Sequence, residues 1–193
     1  MKKHYFIAVP IEEHHQQLIQ NWITTYKNKL PFQSWVHPND YHITLAFLGD
    51  VGEVEKLELL VEKIQQVVQF VPHFDLMLKG IDVFGKQDAP RIFWAGVKES
   101  MNLQHLQKQV FDRCQEVGFQ LDKKPFRPHI TLARNWKSEE PFRKWPQLDH
   151  AFEGSSSHFH VKKIHLYQTN LNKIPKYEVV ETFPLKTLEN ETE

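Results

Sequence analysis

Residues 42–46 read His-Ile-Thr-Leu-Ala, and residues 129–133 read His-Ile-Thr-Leu-Ala again, 87 positions later. Such an identity suggests two similar halves, each giving one copy. Two imidazoles suit phosphodiester chemistry. A neutral one takes a proton from water, and a protonated one gives a proton to the leaving oxygen. Their ordinary pKa, about 6.5, allows both forms near neutral pH. Thr44 and Thr131 add hydroxyls that can donate to phosphoryl oxygens as charge develops. Two-residue periodicity puts His42, Thr44 and Ala46 on one face of a strand and Ile43, Leu45 and Phe47 on the other. The same alternation sets His129, Thr131 and Ala133 against Ile130 and Leu132. A single strand histidine is ordinarily structural; the duplication within His-x-Thr makes these two candidates for catalysis.

The chain has five arginines: Arg91, Arg113, Arg127, Arg134 and Arg143. Arg127 and Arg134 bracket the second repeat, where a guanidinium can clamp phosphate. Arg127 shares the parity of His129 across Pro128. Arg134 has the opposite parity and needs a bend at the strand end to reach the same cleft. Phe84, beside a loop, is a candidate for stacking on a base. His158 and His160, with His165 further on, raise a metal site, but no cysteine or acidic residue completes a familiar ligand set. No metal and no cofactor are expected.

The elements that must hold these residues are legible in outline. Strands are expected over residues 5–11, 42–48, 74–83, 91–97, 129–133, 158–167 and 177–185. Helices are expected over 13–30, 53–70 and 102–117. Leu57, Val61, Ile64 and Val68 form the apolar face of the second helix. Leu103, Leu106, Val110 and Cys114 form that of the third, which Gly118 caps. Residues 34–40 and 136–157 read as irregular. The interleaving indicates an α+β fold. One domain over residues 1–186 and a polar, fraying tail over 187–193 are expected.

Composition narrows the class. The 193 residues carry 24 basic and 24 acidic side chains, a formal net charge of zero. General nucleic-acid coat proteins are basic, so any nucleic acid bound here is expected to be gripped at a local site, such as an end or one nucleotide. The single cysteine, Cys114, excludes an intramolecular disulfide and suits a reducing compartment. The apolar run at 5–11 is too short and too polar in its flanks for a leader or a membrane span. A cytoplasmic monomer without membrane attachment is the expectation.

At the repeated motifs the sequence resembles the two-histidine phosphoesterases, and within them the bacterial RNA 2′,3′-cyclic phosphodiesterases (the LigT-like, 2′-5′ RNA ligase-like branch). The resemblance rests on Phe6-Ile7-Ala8-Val9, on residues 42–49, on Phe84-Gly85, on residues 92–97 and on residues 126–134. The closing strand also fits. Gln168-Thr169 stand where members often carry Ser. The resemblance implies a bilobal, pseudo-twofold fold of two antiparallel sheets flanked by helices around a central cleft. It implies His42 as general acid toward the ribose oxygen, His129 as the base that positions water, and a 2′-phosphate product. The ligands implied are RNA ends or nucleoside 2′,3′-cyclic phosphates. A nucleotide-binding module without turnover, a metal-dependent phosphodiesterase, and an enzyme for 2′-5′ linkages or ADP-ribose cyclic phosphate remain the alternatives.

Overall fold

The computed structural model describes residues 3–187. The expected fraying tail lies outside them, apart from Thr187. Nine strands and four α-helical segments alternate along these residues. They are β1 (His4–Pro10), α1 (Glu13–Tyr26), β2 (Phe32–Trp35), β3 (His42–Asp50), α2 (Val54–Val68), β4 (Phe74–Gly85), β5 (Pro90–Val97), α3 (Met101–Glu116), β6 (His129–Trp136), α4 (Pro146–Asp149), β7 (His158–Val161), β8 (Lys163–Thr169) and β9 (Tyr177–Pro184). Among the described residues no helix is long and apolar enough to cross a membrane.

All the pairings between strands are antiparallel, and the strand order is β7-β4-β5-β6-β3-β1-β8-β9, with β2 added on β6. The two sheets that the resemblance implies are therefore one main sheet. The join is narrow. The motif strands β3 and β6 meet through a single pair, Ile43 with Ile130, the same position of each repeat. Both isoleucines are fully buried. Their burial fixes the register at the join, because a slip of one residue would turn both histidines into the core.

The strand expected over 158–167 is two strands, divided at Lys162. β7 pairs with β4 and β8 pairs with β1, so residues one step apart in sequence sit at distant places in the strand order. The sheet must curl for its two ends to be joined by so short a link. β2 overlaps, at Ser34 and Trp35, the stretch read as irregular from sequence. Four residues are too few to show a period, and tertiary pairing with β6 decides them.

The helices cover the Ile43 and Ile130 face. Leu103, Leu106, Val110 and Cys114 of α3 are all buried. Ser100 caps its start, accepting from the Leu103 amide at 3.3 Å. Gly118, at φ 94°, stops it. In α2 the buried stripe is Leu60, Ile64 and Val68; Leu57 and Val61 flank it half-buried. The opposite face of the sheet carries a small second cluster, Phe6, Ala8 and Tyr167, with Tyr177 against it.

Candidate active site

Both motif strands carry an extra residue at the same place of the repeat, and β3 carries a further one at Leu48. Along β3, Ile7 pairs with Ala46 and Ala8 with Thr44, so Leu45 has no partner on β1. Along β6, Phe93 pairs with Ala133 and Trp94 with Thr131, so Leu132 has no partner on β5. A bulge inverts the alternation beyond it. Leu45 and Ala46 are both buried, as are Leu132 and Ala133. Phe47 and Arg134, the next residues, therefore share the face of His42, Thr44, His129 and Thr131. The bulge is the bend that Arg134 needs. It also corrects the placement of Phe47, which is 57% exposed and not part of the core.

The two imidazoles are held alike. His42 Nδ1 lies 2.7 Å from the Asp40 carbonyl, and His129 Nδ1 lies 2.7 Å from the Arg127 carbonyl. A carbonyl can only accept, so each Nδ1 carries the proton. In the neutral ring, Nε2 is then the basic atom. His42 Nε2 accepts from the Thr44 hydroxyl at 3.1 Å. Aromatic rings wall each imidazole. Phe6 lies 4.8 Å from His42 and Tyr177 stands edge-on at 5.2 Å. Phe84 stands edge-on to His129 at 5.0 Å and stacks on Trp94 at 4.7 Å.

Burial pushes the His42 imidazole down to about 4, although the Asp40 carbonyl favours its protonated form. The charges of His129 and Arg134 push it further in the same direction. His129 is also lowered, by burial first and by Arg134 as well. Arg134 thus stands in the field of both rings and of the Tyr177 hydroxyl. An anion between the rings would offset the repulsion among all three groups, raising both histidines when it binds.

Sequence periodicity brings His42, Thr44, His129 and Thr131 to this face, and the structure adds Arg134, Phe84 and the Arg127 carbonyl. The Arg127 side chain lines a groove beside His129 and Thr44. Four participants carry no local sequence signal: Asp40, Phe6, Tyr167 and Tyr177. Asp40 is buried, and its carboxylate accepts from the Lys176 and Tyr177 amides at 2.8 and 3.1 Å. One residue therefore orients the His42 ring and anchors the strand that brings Tyr177 to it. The spare histidines do not assemble. His158 and His160 lie on β7, where His160 pairs with Asp75, whereas His165 lies on β8 and meets the Thr182 hydroxyl at 3.0 Å. Among the described residues no group of three or more His, Cys, Asp or Glu is placed to hold a metal ion.

The lowered values move the expected pH profile. A general base of lowered pKa is neutral from lower pH, and an acid of lowered pKa loses its proton at lower pH. Both limbs of kcat/KM, which reports the free protein, should therefore fall on the acid side of pH 6.5, below the range of roughly 6–8 that unperturbed histidines give. The kcat profile, which reports the complex, should lie at higher pH than that of kcat/KM, because the bound anion restores both rings. Rate profiles at limiting and saturating substrate check this; coincident profiles would contradict it.

The chain is similar to known proteins over most of its length. The 2′-5′ RNA ligase superfamily matches over residues 13–173. An RNA 2′,3′-cyclic phosphodiesterase of Geobacillus stearothermophilus is 46% identical over 184 residues, which cover 95% of this chain and 58% of that protein. The chain thus spans under two thirds of that relative. One from Bacillus subtilis is 36% identical over 189 residues, covering 96% of this chain and 98% of that one. Among solved structures, E. coli LigT complexed with 3′-AMP superimposes with a TM-score of 0.79 at 22% identity, covering 96% and 99% of the two chains. That likeness speaks for the fold.

Proposed function

The chain belongs to the 2′-5′ RNA ligase superfamily, and from that premise we propose that it hydrolyses RNA 2′,3′-cyclic phosphate ends to 2′-phosphate ends, with His42 and His129 as a metal-independent acid/base pair. The observation that carries the reading is the matched pair of Nδ1-to-carbonyl bonds. It gives both rings the same tautomer, with the basic Nε2 of each away from its anchoring carbonyl.

The antiparallel pairing of equivalent isoleucines supports two lobes related by a pseudo-twofold axis between Ile43 and Ile130. The register, continued one step, sets His42 opposite Thr131 and His129 opposite Thr44. A phosphate on the axis would meet an imidazole on each side and a hydroxyl beside each imidazole. His129 Nε2 takes a proton from water as the water oxygen bonds to phosphorus. The P–O3′ bond breaks, and His42 Nε2–H gives its proton to O3′. O2′ stays on phosphorus. Water has been added across one bond, and proton exchange with solvent resets the pair. The assignment of His42 as donor and the choice of O3′ follow the family resemblance. Thr44 and Thr131 donate to the equatorial oxygens, and Arg134 balances their charge. Phe84 packs against the terminal nucleoside. The reading takes the chain as one bilobal domain acting as a monomer.

Two imidazoles suffice to move both protons, so turnover of adenosine 2′,3′-cyclic phosphate should be unchanged in excess EDTA. Activity lost to the chelator and restored by a divalent ion would overturn the acid/base account.

A further inference from the structure

Each imidazole is met nearly at a right angle by an aromatic ring. Tyr177 meets His42 at 86° and 5.2 Å, and Phe84 meets His129 at 89° and 5.0 Å. The two rings differ by a hydroxyl. Packing alone does not account for that oxygen, because Phe84 makes the same contact without one. The core does not hide it either. Tyr177 is half-buried, whereas Tyr167, also near His42 at 6.1 Å, is only 7% exposed.

Tyr177 is held by a device that the second half lacks. Asp40 and Arg127 occupy equivalent places, two residues ahead of each histidine, and both give a carbonyl to Nδ1 at 2.7 Å. Arg127 shows that presenting this carbonyl needs no acidic side chain. Its own side chain is exposed. Asp40 is 4% exposed, and its two carboxylate oxygens divide between two amides, Oδ2 accepting from Lys176 and Oδ1 from Tyr177. β9 is the last strand in the order and pairs with β8 alone. The end of such a strand is where fraying begins. The carboxylate pins that end, and with it the Tyr177 ring, which lies edge-on to Phe6 at 4.9 Å as well as to His42.

The hydroxyl so placed lies in the field of Arg134. Burial pushes it up, the Arg134 charge pulls it down and the Asp40 charge pushes it up again, with a net rise. It is therefore a neutral O–H at working pH. A guanidinium only donates, so the tyrosine proton beside it can point toward an anion that Arg134 also holds. We propose that Tyr177 is a further catalytic residue, whose hydroxyl donates to the phosphate alongside Arg134, and that Asp40 is the positioning residue that keeps it there. The inference rests on the proposed function for the identity of the phosphate. It adds a donor that the His-x-Thr repeat does not supply, on the His42 side alone. The hydroxyl keeps its proton throughout, so the proton balance of the two imidazoles is unchanged.

Tyr177→Phe tests this, since it removes the oxygen and keeps the ring against His42. Its kcat/KM for adenosine 2′,3′-cyclic phosphate should fall by roughly 10- to 150-fold, the range of a hydrogen bond to a charged group. Its affinity for inorganic phosphate, read by calorimetry, should fall too. Both pH limbs of kcat/KM should stay in place, because Tyr177 is not among the causes of either histidine's shift. Limbs moved to higher pH would show that the hydroxyl acts only by placing Arg134, and would overturn the donor role. Asp40→Asn keeps the side-chain volume but leaves one acceptor for two amides. It should lower kcat/KM in the wild type and far less in the Tyr177→Phe background, since its effect passes through the hydroxyl. Equal losses in both backgrounds would overturn the positioning role. Absent turnover in the wild type, with phosphate affinity still lowered by Tyr177→Phe, would sink the function and keep the inference. Phosphate affinity unchanged by Tyr177→Phe would overturn the inference whatever the turnover.

Discussion

His42→Ala and His129→Ala should each lower turnover of a nucleoside 2′,3′-cyclic phosphate by about 10²–10⁴-fold, the usual worth of a positioned general acid or base. Thermal unfolding should change little, because neither ring is part of the core. Both lie on the face opposite Ile43 and Ile130. Each mutation frees one carbonyl, of Asp40 or Arg127, at a solvent-accessible cleft. The losses should not multiply in the double variant, since the two rings serve one proton transfer sequence. Near wild-type rates in either single variant, with folding intact, would make that histidine structural.

Arg134→Ala should cost roughly 10- to 150-fold in kcat/KM, the equivalent of about 1.5–3 kcal/mol for a lost charge-assisted hydrogen bond. The loss should appear in both KM and kcat, because the guanidinium meets the anion before and during the reaction. A second readout distinguishes a phosphate clamp from a packing residue. Arg134 depresses both histidines, so its removal should move both limbs of the kcat/KM profile toward higher pH. Arg134→Lys should keep the charge and the pH profile but lose the two-pronged geometry. An unchanged kcat/KM in Arg134→Ala would move the phosphate clamp to Arg127.

The repeat made the catalytic pair legible because identity over five residues at two places is a signal independent of context. Helices were legible through their 3.6-residue period, as the buried set of α3 shows. What escaped was set by tertiary pairing. A bulge leaves no mark in a local pattern, so strict alternation put Phe47 in the core and left Arg134 on the wrong face. Phe6, Tyr167 and Tyr177 reach the site because β1, β8 and β9 stack side by side beyond β3, and no spacing rule announces that order; Asp40, just before β3, takes its role from the Lys176 and Tyr177 amides it accepts from. The single sheet was likewise hidden, since one residue pair, Ile43 with Ile130, makes the join.

The central claim is that this site opens a cyclic phosphate in one direction. Adenosine 2′,3′-cyclic phosphate incubated with the purified chain and excess chelator, then chromatographed against 2′-AMP and 3′-AMP standards, tests it directly. The account predicts 2′-AMP as the product. 3′-AMP would contradict the assignment of the leaving oxygen, and recovery of intact cyclic phosphate would contradict the account as a whole.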